Sequence, residues 1–247
     1  MQEPLNSLKK RFLIDLSKSE PSFPTENLTF LLDADKAGLG PIDKWVDQGP
    51  QKIEFKFSGK NKPVVKINKK TGNKSVTFSP PGFLQSKPVL PTFLPDDNFA
   101  IFIVFTVFRE KEDRNYNDPF NWGDCKENRF LVHVNYSRAI TFQMGIPKDG
   151  LNPIEGANFS NQLNLMVIRK KQDDFIIEFN GVVVAYTDKK QTDISREEPM
   201  PFRIGNSFCD NGFLGEIAEF AIFKNIQDPS QSNQITKFLA KKYKIKL

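Results

Sequence analysis

The sequence predicts an all-β protein, an antiparallel β-sandwich with a short helix near each end, and three observations carry that reading. Apolar residues recur with a period of two, as in Ile53-Glu-Phe-Lys-Phe57, or in unbroken runs such as Phe99 to Phe108; both are strand patterns. Asn180-Gly181 separates two such runs, Phe175 to Phe179 and Val182 to Tyr186, and both positions tolerate positive φ, which makes the pair a hairpin turn. Phenylalanine supplies 24 of the 247 residues, against four tyrosines and two tryptophans, the composition of an aromatic core.

Taken in order, Pro4 opens a helical pattern in which Leu5, Leu8, Phe12 and Leu16 share one face. Glu20-Pro-Ser-Phe-Pro-Thr-Glu26 then breaks it as an extended linker. Residues 1–26 read as an arm and linker, either docked on its own domain or anchoring it to a larger assembly, and 27–247 as one β domain. Within that domain, eleven to thirteen strands are expected. They are Leu28 to Leu32, Ile53 to Phe57, Val64 to Ile67, Ser75 to Phe78, Phe99 to Phe108, Arg129 to Asn135, Ala139 to Met144, Leu163 to Arg169, the hairpin pair, Phe202 to Gly205 and Phe213 to Phe223. The polar stretches 110–128 and 147–161 read as outer loops. At the end, Asp228 is placed as an N-cap, Pro229 at the first helical position and Gln231 in a capping box. Ile235, Phe238, Leu239 and Tyr243 follow at helical spacing, so the helix should plug the sandwich.

Composition excludes several classes. Lys+Arg exceeds Asp+Glu by 35 to 30, and the lysines are scattered apart from the runs 60–74 and 241–246. That pattern reads as solvated surface and not as a nucleic-acid groove. No apolar run approaches a membrane span, and Asp15 cuts short the apolar stretch after Lys9-Lys-Arg11, so no signal peptide is read. Cys125 and Cys209 lie in polar segments and leave a single bridge open. His133 is the only histidine, which removes histidine-rich metal spacings. The sequons at Asn27, Asn73, Asn135 and Asn158 read as chance in an asparagine-rich chain.

Several segments resemble the laminin-G-like domains of the concanavalin A-like lectin/glucanase jelly rolls. They are Leu31-Leu-Asp-Ala34 with Trp45-Val-Asp-Gln-Gly49, Asn73 to Phe78, Phe99 to Val107, Phe175-Ile-Ile-Glu-Phe-Asn-Gly-Val-Val-Val184, and Gly215 to Phe223 with the terminal helix. The resemblance covers residues 28–247 and implies a scaffold shared by lectins, glycosidases, adhesion modules and viral proteins. It implies an extracellular or virion-surface setting.

The chemistry favours binding over catalysis. A glucanase of this type needs carboxylates gathered on one strand face. Glu216 and Glu219 are three apart and should face opposite ways, while Asp174 and Glu178 share a face without a third partner. A lone His133 between Val132 and Val134 reads as a surface or satisfied histidine. No catalytic residue is therefore assigned; a glycoside hydrolase of the same superfamily and a secreted lectin-like adhesion domain are the alternatives. For ligand binding, Asp118-Pro-Phe-Asn-Trp-Gly-Asp124 offers an aromatic platform with hydrogen-bonding groups, so Asp118, Asn121, Trp122 and Asp124 are candidates, with Asn206 and Asp210 in a second polar loop. No cofactor is required; calcium would suit Asp118 and Asp124. Asp33 and Asp35 are expected to cap a turn. The reading is a non-catalytic recognition or structural module for a glycan or protein surface, with Leu5, Leu8, Phe12 and Leu16 as the anchoring face of the arm.

Overall fold

A computed structural model describes residues 25–94, 98–108, 117–124, 129–134, 140–144, 162–172, 174–187, 197–206, 212–226 and 229–247. The arm, the linker up to Pro24, both cysteines, Asp210 and the capping residue Asp228 lie outside the described residues. Sixteen strands run β1 Leu28–Asp33, β2 Gly40–Pro41, β3 Lys44–Val46, β4 Glu54–Gly59, β5 Val64–Ile67, β6 Lys74–Phe78, β7 Gly82–Ser86, β8 Asn98–Val107, β9 Asn117–Gly123, β10 Arg129–Val134, β11 Ile140–Met144, β12 Asn164–Lys171, β13 Asp174–Phe179, β14 Val182–Thr187, β15 Phe202–Ile204 and β16 Gly215–Lys224. Among the described residues one α-helix, α1, spans Pro229–Tyr243. The strands form two antiparallel sheets. One has nine strands in the order β14-β13-β12-β8-β16-β6-β5-β2, with β1 also on β16; the other has seven, in the order β11-β10-β9-β15-β7-β4-β3.

The phenylalanines close the space between the sheets. Phe30, Phe120 and Phe220 meet with ring centroids 4.5 to 5.2 Å apart along Phe120–Phe220 and Phe30–Phe220, and Phe93 stacks on Phe202 at 5.0 Å. All five are fully buried, and such contacts add to the gain from area removed from water. The turn before β4 is tied in by Asp47, which is fully buried and accepts from the Leu31 and Gly49 amides at 2.7 Å each. A side chain at Gly49 would approach the Phe30 backbone to 2.9 Å, which reserves that position for glycine.

Strands β8 and β16 are apolar on both faces because both faces are covered. Their inner residues, Ile101, Ile103, Ile217, Phe220 and Ile222, join the inter-sheet core. Their outer residues, Phe102, Val104, Ala218, Ala221 and Phe223, pack under Ile235, Leu239 and Tyr243 of α1. The helix thus lies on the outside of the nine-stranded sheet, where the sequence reading had it plugging the sandwich. Its closing residues are pinned by charge. The Lys242 ammonium reaches Glu219 at 2.7 Å, Asp33 at 3.2 Å and Asp35 at 3.3 Å, and the Tyr243 hydroxyl donates to Glu219 at 2.9 Å. Asp33 also caps the following 3-10 turn through the Asp35 amide, the turn role expected of it.

The sequence pattern misses β2, β3, β7 and β9. The largest correction is β9, because Asn117 to Gly123 carries Asn, Asp, Pro and Gly, all turn formers. It is nonetheless an interior strand between β10 and β15, held there by two inward aromatics. Pro119 is tolerated because the β9–β10 register slips between Val132 and Val134, where a ladder donor is not needed.

Candidate ligand-binding face

The outer face of the seven-stranded sheet follows from alternation. Trp45, Phe55, Leu84, Phe202, Ile204, Phe120, Trp122, Phe130 and Val132 all belong to the core between the sheets, so their neighbours along each strand face outward. The register then sets Lys44 beside Lys56, Lys56 beside Gln85, Gln85 beside Arg203, Arg203 beside Asn121, and Asn121 beside Leu131. One row of side chains therefore crosses six strands, and five of its six residues are polar or charged.

Within the row the groups hold one another in place. Glu54, also outward, bonds Lys44 at 3.1 Å and Lys56 at 3.3 Å, and these two ammonium groups keep its carboxyl below the ordinary glutamate range. The Arg203 Nε donates to Gln85 Oε1 at 2.7 Å, and its guanidinium lies 4.8 Å from the centre of the Phe83 ring. This arrangement fixes a planar cation against a half-buried aromatic face. At the far end, His133 Nδ1 sits 2.5 Å from Asp118 Oδ1. The histidine is thus satisfied, as the sequence reading allowed. Asn121 is fully buried, and neither its Oδ1 nor its Nδ2 has a hydrogen-bond partner; Asp118 Oδ2 is also buried without one. Buried polar atoms are nearly always paired, because leaving them bare costs on the order of 1–3 kcal/mol each. Thr77 Oγ1, Asn98 Oδ1, Ser232 Oγ and Thr236 Oγ1 elsewhere in the molecule are likewise buried without a partner.

Of the predicted ligand residues, Asp118 and Asn121 therefore fall on this face, although on a strand and not in a loop. Trp122 is corrected: its neighbours on β9 face outward, but it points into the core. It is fully buried, and its indole donates to the Val89 carbonyl at 3.1 Å. It has no face open for stacking. Asp118 and Asp124 stand near the two ends of β9, six positions apart in the sequence. Among the described residues, no group of three or more His, Cys, Asp or Glu is placed to hold a metal ion. Asn206 is buried beyond β15 in a bridge with Gly212, away from the row. The residues missed were Lys44, Lys56, Gln85 and Arg203. Arg203, framed by Phe202 and Ile204, carried a readable period-two signal; Gln85 did not, because β7 itself went unread.

The carboxylate pairs behave as follows. Glu178 is gripped by Arg169, whose Nη2 reaches both carboxylate oxygens at 2.7 Å, and burial pushes its pKa up against the opposing pull of Arg169. Asp174 accepts from the Tyr186 hydroxyl at 3.2 Å. Glu216 and Glu219 share a face, contrary to expectation. The β16–β8 register slips between Ile217 and Glu219, so Ala218 is an extra residue and both acids point toward the helix side.

No family model and no curated protein sequence matches the chain. Solved structures do. The binding domain of botulinum neurotoxin DC in complex with rat synaptotagmin II aligns with a TM-score of 0.64 and 12% identity, over 88% of this chain and 52% of that one. The same toxin's binding domain in complex with SialylT gives 0.63 and 11%, over 87% and 52%. Domain 4 of AbnA, a GH43 extracellular arabinanase from Geobacillus stearothermophilus, in complex with arabinotriose, gives 0.59 and 14%, over 85% and 98%. This chain spans about half the length of the toxin binding domains and nearly all of the arabinanase domain. The likeness establishes the sandwich fold, one that occurs in domains solved with carbohydrate or protein ligands.

Proposed function

We propose that the protein is a non-catalytic recognition module of the laminin-G-like type, binding a glycan across the outer face of the seven-stranded sheet. The observation that carries this reading is the partly exposed amide of Gln85 bonded to Arg203, whose guanidinium lies on Phe83. An amide offers paired donors and acceptors for hydroxyl groups, and an arginine on an aromatic ring adds a flat polar surface. The non-catalytic reading is supported by the occupation of the acids: Glu178 serves Arg169 and Glu219 serves Lys242. An extracellular or particle-surface setting, with residues 1–26 as the attachment, belongs to the same proposal and rests on the one-sided apolar spacing of that segment.

The test is a glycan array probed with the full chain, followed by Gln85→Ala and Arg203→Ala. A hit weakened roughly tenfold or more by each variant, with the thermal midpoint little changed, supports the reading. No hit, or a hit indifferent to both substitutions, rejects it. A protein ligand on the same face is the second reading, favoured by the Lys44–Glu54–Lys56 charge cluster at one end of the row.

A further inference from the structure

Two lysine runs that are far apart in sequence meet at one corner of the nine-stranded sheet. The Lys244 ammonium donates to the Lys70 carbonyl at 3.1 Å, which brings the chain end against the turn between β5 and β6. Lys74 Nζ donates to the Asp35 and Ala37 carbonyls at 3.2 and 2.7 Å, which adds the loop after β1. Lys242 closes the set by holding Asp33 and Asp35.

The charge balance of this corner is one-sided. Segments 33–39, 66–74 and 241–246 contain nine lysines and two aspartates, whereas the whole chain has a net charge of only +5. The remainder of the protein is therefore net acidic, and the entire positive excess sits here. Both aspartates, together with Glu219, face Lys242, while Lys36, Lys66, Lys69, Lys70, Lys241 and Lys244 are exposed. Among them stand two of the large apolar side chains that the fold leaves in water, Leu39 at 60% and Ile67 at 54% exposure. Leu39 immediately precedes β2, and Gly40 of β2 pairs with Val65, so Leu39 and Ile67 flank the same sheet edge.

We propose that this corner docks the protein on an anionic lipid bilayer. Lysines on flexible stems provide diffuse, non-directional attraction to a negatively charged surface, and two protruding aliphatic residues provide the shallow apolar insertion that such a surface accepts. The three segments contain no arginine, the residue whose rigid fork suits stereospecific phosphate or carboxylate recognition. Their one aromatic residue, Tyr243, is buried, so no stacking platform for single-stranded nucleic acid is present at this corner. The corner lies on the opposite sheet from the proposed glycan face, so the two contacts do not compete for the same residues.

The experiment is cosedimentation of the full chain with vesicles of phosphatidylcholine alone and of phosphatidylcholine mixed with phosphatidylserine, across a salt series. The expected result is binding only to the anionic vesicles, weakening as salt rises. Combined Lys66→Glu, Lys69→Glu and Lys70→Glu should weaken it by roughly tenfold or more. Leu39→Ser with Ile67→Ser should remove the part of binding that survives high salt. All five positions are exposed, so thermal midpoints near that of the unaltered protein should confirm that the variants fold. Absence of a phosphatidylserine requirement overturns the proposal, as does full binding by the charge-reversed variant. So does binding insensitive to the two serines yet displaced by heparin, which would make the corner a site for soluble polyanions.

Discussion

The outer surfaces of the two sheets differ in kind. On the nine-stranded sheet, α1 closes over Phe102, Val104 and Phe223, and its last turn sets Lys242 against three carboxylates. On the seven-stranded sheet, no helix intervenes among the described residues, and the polar row contains a buried amide and a carboxylate oxygen that find no partner. Both sides bury unpaired polar atoms, Thr77 Oγ1, Ser232 Oγ and Thr236 Oγ1 on the helix side and the Asn121 amide on the other; what differs is that one outer face is covered by α1 and the other carries the partly exposed row of Lys44, Lys56, Gln85 and Arg203. On the proposed reading, stability and recognition fall on opposite sides of one core. Substitutions should therefore separate them.

The largest effect is expected from Tyr243→Ala, which empties a fully packed site beneath α1 and removes the hydrogen bond to Glu219. Chemical denaturation should show a loss of about 3–5 kcal/mol, with glycan binding retained under native conditions. Lys242→Ala follows. It leaves Asp33, Asp35 and Glu219 crowded without their cation, and a loss of about 3 kcal/mol is expected by the same measurement. A smaller loss would mean that the helix is held by its apolar stripe alone.

A pH effect comes next. Burial raises the pKa of Asp47, Glu178 and Glu219 above their ordinary values. In the window from the unfolded values near 3.8 and 4.5 up to the raised folded values, the folded state holds more protons than the unfolded chain. Stability contributed by these groups therefore falls as pH rises through that window and is recovered as pH falls into it. Thermal midpoints should accordingly rise as pH is lowered through that window, and Glu219→Gln should flatten the dependence. A midpoint that drops over the same range would contradict the assignment.

The smallest stability loss belongs to the polar row. Asn121→Leu removes a buried amide that bonds to nothing, so denaturation should show no loss and a gain of up to about 1–3 kcal/mol. Arg203→Ala, on the exposed part of the row, should leave stability within about 1 kcal/mol while binding to a glycan found on the array is lost. Equal losses in stability and binding would dissolve the contrast between the faces.

Much of the fold was legible in the sequence. Long apolar strands, the Asn180-Gly181 turn and the terminal helix each carry a local signal that the tertiary structure reinforces; Asn180 and Gly181 do adopt φ of 48° and 79°. The site was less so. Residues 117–123 look like a loop because their local preferences are overruled by pairing on both sides and by the burial of Phe120 and Trp122. That inversion sent Trp122 to the wrong face, while Asn121, its neighbour, was placed among ligand groups for a reason that alternation then reversed. The row itself could not be read locally. Lys56, Gln85, Arg203 and Asn121 come from four separate stretches of sequence, and only the strand register assembles them.

The extra residue in β16 has a consequence for chain length. Strict alternation would separate Glu216 from Glu219, and the bulge at Ala218 is what lets both serve the helix side. Because Ile217 pairs with Phe105 and Glu219 with Val104, the two halves of the strand are already in step across it. A chain lacking Ala218 should keep both pairings and the inward aim of Phe220 and Ile222. It would lose the Ala218 carbonyl that receives the Tyr243 hydroxyl at 3.4 Å. This joint behaves as a removable spacer: the sandwich does not need it to close, and the helix uses it to find its seat.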